Sequence, residues 1–408
     1  MPETTSTGIP KDWRARTKAV HGGAQRSQFG ETSEALFLTS GYAYRNAEEA
    51  AARFRGEDSG HMYSRFSNPT VEMFEHRMAE LEGAEAGWAT ATGMAAVANA
   101  LFAMLRAGDH VVGSKAVFGS CRVIVEEVLP RFGVTSTLVD GRDLAQWKAA
   151  IRPNTKVLFL ESPTNPNLQI CDLRGVADIA HAAGARLVVD NVFATPVLQK
   201  PLEFGADVVV YSATKHIDGQ GRCLGGVILG KKSFIEEEVK PLLRHLGPAL
   251  SPFNAWVMLK SLETLDLRVR EHSRNGARIA DFLGQLPGIT NVLYPGRKDH
   301  PQHTLAMAQM EMGGNIVAFD VDVPGGPDAK RGAAFRFLNA LQVVKISNNL
   351  GDAKSLITHP ASTTHYRLSM EAREELNITE GSLRISVGLE DMADIEADLA
   401  QAAARIVG

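Results

Sequence analysis

The segment "ADVVVYSATKHIDGQG", residues 206–221, joins an apolar run to a lysine that lies among small polar residues and glycines. Its first six residues are typical of a buried strand. Lys215 follows at the end of this strand. A lysine in this position is commonly a surface residue whose long side chain reaches solvent. It can also deliver an amine into a binding site, and the rest of the chain must decide between the two.

Four other strand-like segments precede this one, and helix-like segments near residues 120–130 and at 173–184 lie between them. The strand-like segments are "HVVGS" at 110–114, "TSTLVD" at 135–140, "KVLFLES" at 156–162 and "RLVVDN" at 186–191. Apolar runs separated by helices are typical of a parallel sheet covered on both faces. The expected fold class is therefore α/β with a mostly parallel central sheet. Such sheets bind ligands at the carboxyl ends of their strands.

The pattern changes after about residue 260, which predicts a smaller α+β domain. A long helical stretch at 253–286 is followed there by strand-like segments at 315–322, 343–347 and 382–388. The first 75 or so residues show little periodicity and are interpreted as an extended arm. The predicted division is an arm at 1–75 that contributes to a neighbouring subunit's site, a large cofactor-binding domain at 76–265 and a C-terminal domain at 266–408.

Composition limits the classes of function. The net charge of -4 gives no electrostatic reason to expect a nucleic-acid or membrane partner. The longest apolar stretch, residues 95–105, is shorter than the roughly 20 residues that cross a bilayer. The three cysteines are far apart in the chain, and the first 18 residues contain no apolar signal core, so we expect a cytoplasmic protein.

Polar residues at three strand ends form a set with specific chemistry. Asp190 ends one apolar strand, and Lys215 follows another. Thr92 and Gly93 open a helix whose N-terminal amides suit a phosphate group. Each alone has an ordinary explanation, such as a capping aspartate or a surface lysine. Together, an amine, a carboxylate and a phosphate-binding turn are the groups needed to hold pyridoxal phosphate (PLP).

Seven ordered motifs extend this set over most of the chain. They are "YSRFSNPT", "ATGMAA", "ESPTNP", "VVDNVFATP", "SATKHIDGQG", "LGDAKSLITHPASTTH" and "LRISVGLED". From about Leu38 to the C-terminus the sequence resembles the Cys/Met-metabolism family of PLP enzymes, which have the aspartate aminotransferase fold, called fold type I. The resemblance implies that Lys215 bonds the cofactor aldehyde and is the catalytic base.

The resemblance also implies the other site residues. Gly93, Met94, Ser212 and Thr214 would receive the phosphate, while Tyr63 and Arg65 would reach the phosphate of a neighbouring subunit's cofactor. Asp190 would pair with the pyridine nitrogen, and Asn165 would lie near the ring hydroxyl. Arg384 would bind the substrate carboxylate with help from Asn349. The family therefore implies a homo-oligomer, a tetramer built from dimers that share active sites.

Two departures from the family pattern indicate which branch of the family the sequence resembles. Phe118 stands where most members have a tyrosine that stacks on the cofactor ring. Phe118 can stack but has no hydroxyl, so proton transfer should depend more on Lys215. The run "DGQGRCLGG" at 218–226 replaces a more common family sequence. Its glycine spacing does not match the dinucleotide-binding pattern. Both departures resemble the O-succinylhomoserine sulfhydrylase branch.

The expected activity is a γ-replacement in methionine biosynthesis. O-Succinyl-L-homoserine, or the O-acetyl ester, would react with sulfide to give L-homocysteine. Cystathionine γ-synthase and methionine γ-lyase chemistry are alternatives on the same scaffold, and a non-catalytic regulator is a more distant one. No metal site is expected from His300, His303, His359 and His365, since acidic or cysteine partners are missing at ligand spacing. Arg122, just after the Phe118 turn, is expected to lie on a solvated helix face, and the alternative is that it faces the acyl group of the substrate.

Overall fold

The structure is a computed structural model that describes residues 13–406. Residues 1–12 of the predicted arm and 407–408 of the predicted C-terminal domain lie outside the described residues. The helices are α1 (Ala15–His21), α2 (Ala47–Phe54), α3 (Pro69–Glu82), α4 (Gly93–Met104), α5 (Gly119–Val123), α6 (Leu144–Ala150), α7 (Leu173–Ala182), α8 (Thr195–Leu198), α9 (Lys240–Leu246), α10 (Pro252–Leu262), α11 (Leu265–Leu283), α12 (His303–Gln309), α13 (Pro327–Ala340), α14 (Met370–Glu375) and α15 (Met392–Ala403). Short π-helical turns at Ile124–Val128 and Phe234–Val239, and 3₁₀ turns at Leu129–Phe132, Pro201–Phe204 and Pro360–Ser362, connect them.

Twelve strands in the described residues form two sheets. The strands are β1 (Ala86–Thr90), β2 (His110–Ser114), β3 (Thr135–Val139), β4 (Thr155–Glu161), β5 (Arg186–Asp190), β6 (Val208–Ser212), β7 (Gly226–Gly230), β8 (Ile289–Leu293), β9 (Ile316–Val321), β10 (Lys345–Ile346), β11 (Leu356–Thr358) and β12 (Ser382–Ser386). The larger sheet has the order β1-β7-β6-β5-β4-β2-β3. Its strands are parallel except for β7, which runs antiparallel to both neighbours. The prediction of a mostly parallel central sheet is confirmed.

Alternation of buried side chains explains why these apolar runs become central strands. On β6, Val209 and Tyr211 face one hydrophobic core, while Val208 and Val210 face another. Helices α3, α6 and α7 cover the first face, and α4 covers the second. Successive strand side chains point to opposite faces, so a sheet between two helix layers needs apolar residues at every position. Each buried valine contributes about 1.5–3 kcal/mol of hydrophobic free energy.

The smaller sheet has the order β10-β11-β12-β9-β8, with only β10 and β11 paired in parallel. Its core is formed with α11, α13 and α15, and includes Phe319, Phe337 and Leu399. The predicted smaller α+β part of the chain is therefore present. Within residues 13–406, no helix combines the length and apolar composition that crossing a membrane requires.

Two predictions about secondary structure are wrong in detail. The helical stretch at 253–286 is two helices, because α10 ends at Leu262 and α11 begins at Leu265. The first 75 residues are not simply extended, because they contain α1, α2 and the start of α3. The predicted boundary at residue 75 falls inside α3, and the domain division remains a prediction.

A buried arginine anchors the N-terminal segment to the large sheet's helices. Arg77 on α3 is fully buried and donates hydrogen bonds to the Gly22 carbonyl at 2.7 Å and the Leu259 carbonyl at 3.2 Å. Its Nη2 donates to the carboxylate of Glu34. Helices α1, α3 and α10 are therefore held together by one side chain whose donors are used in three directions.

We predict that Arg77→Ala lowers the free energy of unfolding by about 3–5 kcal/mol, because it leaves the carboxylate of Glu34 without its buried partner. Urea unfolding followed by tryptophan fluorescence measures the change. Arg45→Ala is the control, since Arg45 forms its ion pair with Glu49 at the surface and should leave the unfolding free energy unchanged. If Arg77→Ala and Arg45→Ala changed the free energy of unfolding equally, Arg77 would not be the buried anchor described above.

Candidate active site

Four parallel strands bring their polar carboxyl ends to one edge of the large sheet. Strands β1, β4, β5 and β6 end at Thr90, Glu161, Asp190 and Ser212. The antiparallel β7 starts at this edge, and its first residue, Gly226, pairs with both Thr90 and Ser212. The strand ends that predicted a site therefore lie together at one edge of the sheet. This edge is formed by the ends of β1, β6, β5 and β4 and by the start of β7.

Lys215 lies in the turn that follows β6, and its amine points into the structure. Its Nζ donates a hydrogen bond to Oδ1 of Asn349 at 2.6 Å. Burial, followed by the nearby charge of Arg384, lowers the pKa of Lys215 to about 8. More of this amine is therefore neutral near neutral pH than in an exposed lysine, and the neutral form can act as a nucleophile or base. These surroundings do not fit a lysine that reaches bulk solvent.

Helix α4 begins at the same edge and presents its N-terminus. Thr92 caps the helix, and its hydroxyl accepts a hydrogen bond from the Ala95 amide at 3.0 Å. The amides of the first turn, including those of Gly93 and Met94, have no acceptor within the helix, and the helix dipole favours an anion beside them. A Cβ at Gly93 would lie 2.4–2.7 Å from atoms of Ser212, so only glycine fits this turn. The predicted phosphate residues Gly93, Met94 and Ser212 are thus together.

Thr214 is less clearly arranged for phosphate binding. Its hydroxyl lies 3.3 Å from the carbonyl of Gly225 and accepts a hydrogen bond from the amide of Gly225 at 3.1 Å. These contacts join the turn after β6 to the start of β7. The role of Thr214 on a phosphate remains a prediction, and a phosphate would compete with Gly225 for its hydroxyl proton.

Two buried carboxyl groups lie side by side below the lysine turn. Asp190 on β5 is paired in register with Glu161 on β4. Burial raises the pKa of Asp190 to about 7. Burial and the charge of Asp190 raise the pKa of Glu161 well above its usual value. Two adjacent buried carboxylates favour a nearby cation, and the protonated pyridine nitrogen of PLP would be one. This arrangement fits the cofactor predicted from the sequence.

Glu161 is a site residue that the prediction did not single out. Its two carboxylate oxygens accept hydrogen bonds from the Phe118 amide at 2.8 Å and the Asn165 amide at 2.7 Å. It therefore positions the turn that carries the Phe118 ring, which is the predicted stacking group. The quoted motif "ESPTNP" contains Glu161 at a strand end, and that position could have identified it.

Arg384 comes from the small sheet and completes the site from the other side. It lies on β12, is 1% exposed, and donates from Nη1 to Oδ1 of Asn165 at 2.8 Å. Its Nη2 lies 3.0 Å from the Asn348 carbonyl and 3.3 Å from the Asn349 carbonyl. Its Nε is buried and has no partner among the described atoms. A buried guanidinium with a free N–H suits a substrate carboxylate. Asn165 contacts Arg384 here, and its role near the ring hydroxyl remains a prediction.

Tyr63 and Arg65 lie away from these groups. Nη1 of Arg65 donates to the carbonyl of Arg244, and its guanidinium lies 4.8 Å from the ring centre of Phe66. Tyr63 is 44% exposed. Within residues 13–406, neither side chain forms a hydrogen bond to Lys215, Asp190 or Ser212. Their predicted action on a neighbouring subunit's cofactor therefore stays a prediction.

The glycines after Lys215 serve backbone packing. Gly219 has a φ of +68°, and a Cβ there would lie 2.0 Å from Nη1 of Arg268. That arginine donates from Nη1 to the carbonyl of His216 at 2.7 Å and from Nη2 to the carbonyl of Ser261 at 2.9 Å. The segment therefore packs tightly around a buried guanidinium at Gly219.

The four histidines considered for metal binding have other partners. His303 contacts the Pro295 carbonyl, His359 contacts the Glu380 carbonyl, and His365 contacts the hydroxyl of Thr364. His300 accepts a hydrogen bond from the Gln302 amide. Within the described part of the chain, no group of three or more His, Cys, Asp and Glu side chains is arranged for a metal ion.

Arg122 lines a cavity of about 790 Å³ together with Phe118, Asn348 and His365. It also forms an ion pair with Glu126 at 2.6 Å. A slightly larger cavity of about 820 Å³ lies elsewhere, against residues such as Asn167 and Lys330. We assign the site by its chemistry, because the amine, the carboxyl pair and the free guanidinium N–H are not at that larger cavity.

Comparison with known proteins agrees with this geometry. The family model described as Cys/Met metabolism PLP-dependent enzyme matches residues 16–404. The chain is 50% identical over 398 residues to a Mycobacterium tuberculosis protein named O-succinylhomoserine sulfhydrylase, covering 98% of each chain. It is 49% identical over 390 residues to a Pseudomonas aeruginosa protein of the same name, covering 96% of this chain and 95% of the relative.

More distant relatives share the scaffold. The chain is 40% identical over 385 residues to a Porphyromonas gingivalis L-methionine gamma-lyase, covering 94% of this chain and 95% of the relative. A Campylobacter jejuni crystal structure superimposes with a TM-score of 0.91 and 32% identity, covering 96% of this chain and 100% of that chain. That structure carries N'-pyridoxyl-lysine-5'-monophosphate. The predicted fold type I and the predicted cofactor are confirmed.

We predict that Gly93→Ala weakens PLP binding about tenfold or more, because the added Cβ would occupy the space of Ser212 at the helix N-terminus. Titration of the cofactor-free protein with PLP, followed by absorbance, measures the dissociation constant. Gly326→Ala is the control, since a Cβ at Gly326 would meet no atom within 4 Å. Unchanged affinity in Gly93→Ala would place the phosphate elsewhere.

We also predict a pH dependence for the capture of PLP by the cofactor-free protein. The amine of Lys215 is protonated below its pKa of about 8 and neutral above it, so the association rate should rise with pH and level off above about pH 8. In Arg384→Met the inflection should move to higher pH, because a like charge that lowers the lysine pKa is lost. Stopped-flow absorbance provides the rates. Arg367→Met, which changes an exposed arginine, should leave the inflection in place.

Proposed function

The chain belongs to the Cys/Met metabolism family of PLP-dependent enzymes, and we propose that it joins sulfide to O-succinyl-L-homoserine to form L-homocysteine and succinate. The observation that carries the proposal is the placement of a lysine of lowered pKa and a buried arginine with a free N–H on the two sides of Asn349. An amino-acid substrate needs both groups, one for its α-proton and one for its carboxylate. The names of relatives at 49–50% identity support the choice of ester.

The residues of the large sheet would hold the cofactor. Lys215 would bond its aldehyde, the first turn of α4 at Gly93 and Met94 would bind its phosphate, and Asp190 would face its pyridine nitrogen. Phe118 would cover the ring. When bound, PLP supplies an aldehyde that captures amino groups and a ring that accepts the electrons of a carbanion.

Lys215 would carry the protons of the reaction. Arg384 binds the α-carboxylate of the substrate and so presents the α-carbon to the amine of Lys215. The amine would take the α-proton, give it up to a carbon acceptor that the bound cofactor would supply, and, neutral again, take a β-proton. Loss of the β-proton would allow the γ-carbon–oxygen bond to break and succinate to leave. Sulfide then forms the γ-carbon–sulfur bond, and Lys215 returns the protons. Phe118 has no hydroxyl that could share this work, so a single amine serves several carbons.

We propose that the cavity beside Phe118 takes the acyl chain, with Arg122 facing the second carboxylate of the succinyl group. Arg122 lines this cavity and is held there by Glu126. The acetyl group of an O-acetyl ester has no free carboxylate, so a cation at this position would not strengthen its binding. Arg122 is therefore the group on which a preference between the two esters would depend.

We further propose that the active protein is a homo-oligomer in the cytoplasm, a tetramer built from dimers that share active sites. Tyr63 and Arg65 are the residues that would reach a neighbour's cofactor. Their position supports this, because Tyr63 is exposed while Arg65 lies against Phe66 and Arg244, outside the site formed by Lys215. The arm at 1–75 would supply this contact.

Product analysis tests the proposed reaction. The PLP-loaded protein is incubated with O-succinyl-L-homoserine and sulfide, and we expect L-homocysteine and succinate in equal amounts. The O-acetyl ester should react with lower kcat/KM, and Arg122→Ala should lose activity mainly with the succinyl ester. Lys215→Ala should form no product.

The same assay separates the other candidates. Cystathionine from the ester and cysteine would favour a γ-synthase, while 2-oxobutanoate from methionine alone would favour the lyase activity named for relatives at 40% identity. Appreciable homocysteine formation by Lys215→Ala would overturn the catalytic role of the lysine. A protein that binds PLP and forms no product with any of these substrates would be a non-catalytic member of the family.

A further inference from the structure

A closed ring of contacts joins the turn of Lys215 to the loop of Asn349. His216 directly follows Lys215, and its Nε2 contacts Oδ1 of Asn315 at 2.8 Å. Nδ2 of Asn315 donates to Oγ of Ser386 at 3.1 Å, and this oxygen accepts the amide of Gly351 at 2.9 Å. Gly351 lies two residues after Asn349, whose side chain accepts the Lys215 amine at 2.6 Å.

The direction of each hydrogen bond in the ring can be assigned. Nδ2 of Asn315 also lies 3.0 Å from the carbonyl of Val387, which can only accept, and 3.0 Å from Nδ1 of His272. Its two N–H groups are therefore shared among three acceptors. Oδ1 of Asn315 therefore faces His216, so Nε2 of His216 must carry a proton. Burial lowers the pKa of His216 to about 4, which keeps the ring neutral with one fixed N–H. The side-chain amide of Asn315 therefore has one orientation in this ring, with its oxygen towards His216.

Packing reinforces the hydrogen bonds. Gly351 has a φ of +70°, and a Cβ there would lie 2.7 Å from the backbone nitrogen and from Cγ of His216. The loop therefore rests directly on the imidazole. His216, Asn315 and Ser386 are at most 3% exposed, so solvent does not compete for their hydrogen bonds.

We propose that His216 is a positioning residue that, through Asn315 and Ser386, holds the Asn349 loop in place against both Lys215 and Arg384. The loop touches the amine through the Asn349 side chain and touches Arg384 through the Asn348 and Asn349 carbonyls. A shift of this loop would move the carboxylate clamp relative to the base. The inference rests on the roles proposed above for Lys215 and Arg384.

Two substitutions break the ring at different points. His216→Met keeps an unbranched side chain of similar length but has no donor for Asn315. Ser386→Ala removes a single oxygen and leaves the Gly351 amide without its acceptor. His216→Gln keeps an N–H near the position of Nε2 and should rescue the effect. His272→Met is the control, because Nδ1 of His272 contacts Asn315 at 3.0 Å, and within residues 13–406 His272 forms no hydrogen bond to the lysine turn or to the Asn349 loop.

Two measurements on the PLP-loaded proteins test the proposal. We expect KM for O-succinyl-L-homoserine to rise about tenfold in His216→Met and Ser386→Ala, with a smaller fall in kcat. The dissociation constant of L-norvaline, an amino acid without a γ-leaving group, should rise by a similar factor when binding is followed by cofactor absorbance. His216→Gln and His272→Met should stay within about threefold of the unsubstituted protein.

The outcomes separate this proposal from the proposed function. Normal KM and normal L-norvaline binding in Ser386→Ala and a folded His216→Met would overturn the positioning role. If His216→Met does not fold, Ser386→Ala and His216→Gln decide alone. If the unsubstituted protein fails to turn over the ester but its L-norvaline binding is weakened by the same substitutions, the proposed reaction is wrong and the positioning role stands.

Discussion

One side chain, Asn349, connects the two sheets at the site. Its Oδ1 accepts the amine of Lys215 from the large sheet, and its carbonyl lies near the guanidinium of Arg384 from the small sheet. Neither sheet alone could bring together Lys215 and Arg384, for which we propose the roles of base and carboxylate-binding group. Burial lowers the pKa of Lys215, and the nearby guanidinium, which carries the same charge as a protonated amine, lowers it further. The rest of the architecture keeps these two groups at the correct separation.

The site balances its charges across the edge of the sheet. The site contains two basic groups, Lys215 and Arg384, and the carboxyl pair Asp190 and Glu161, whose pKa values are raised by burial. Such a pair is costly without a cation in a medium of low dielectric constant. A cofactor with a protonated ring nitrogen would stabilise the carboxylate of Asp190. Its anionic phosphate would bind the unpaired amides at the N-terminus of α4. This complementarity gives a physical reason for the cofactor that family membership implies.

Much of the fold could be predicted because its signals are local. Valine runs in β4, β5 and β6 predict buried parallel strands, and the residues at their ends predict a site. Other parts have no such signal. Strand β7 starts at Gly226 inside a glycine-rich run, and its antiparallel direction depends on pairing with β1 and β6. The break between α10 and α11 occurs within a continuous helical pattern, where packing and not composition decides.

The sequence by itself determined the types of chemical group and the strands that present them: an amine after β6, a carboxylate at the end of β5 and a glycine at the start of α4. Local patterns suffice for this, because strand and helix periodicity is set by neighbouring residues. Only the tertiary structure decided which groups meet. Glu161 lies beside Asp190 through strand register, and Arg384 binds Asn165, 219 positions away in the chain. His216 reaches Ser386 only through Asn315. These contacts join residues far apart in sequence, and sheet pairing and core packing alone bring them together.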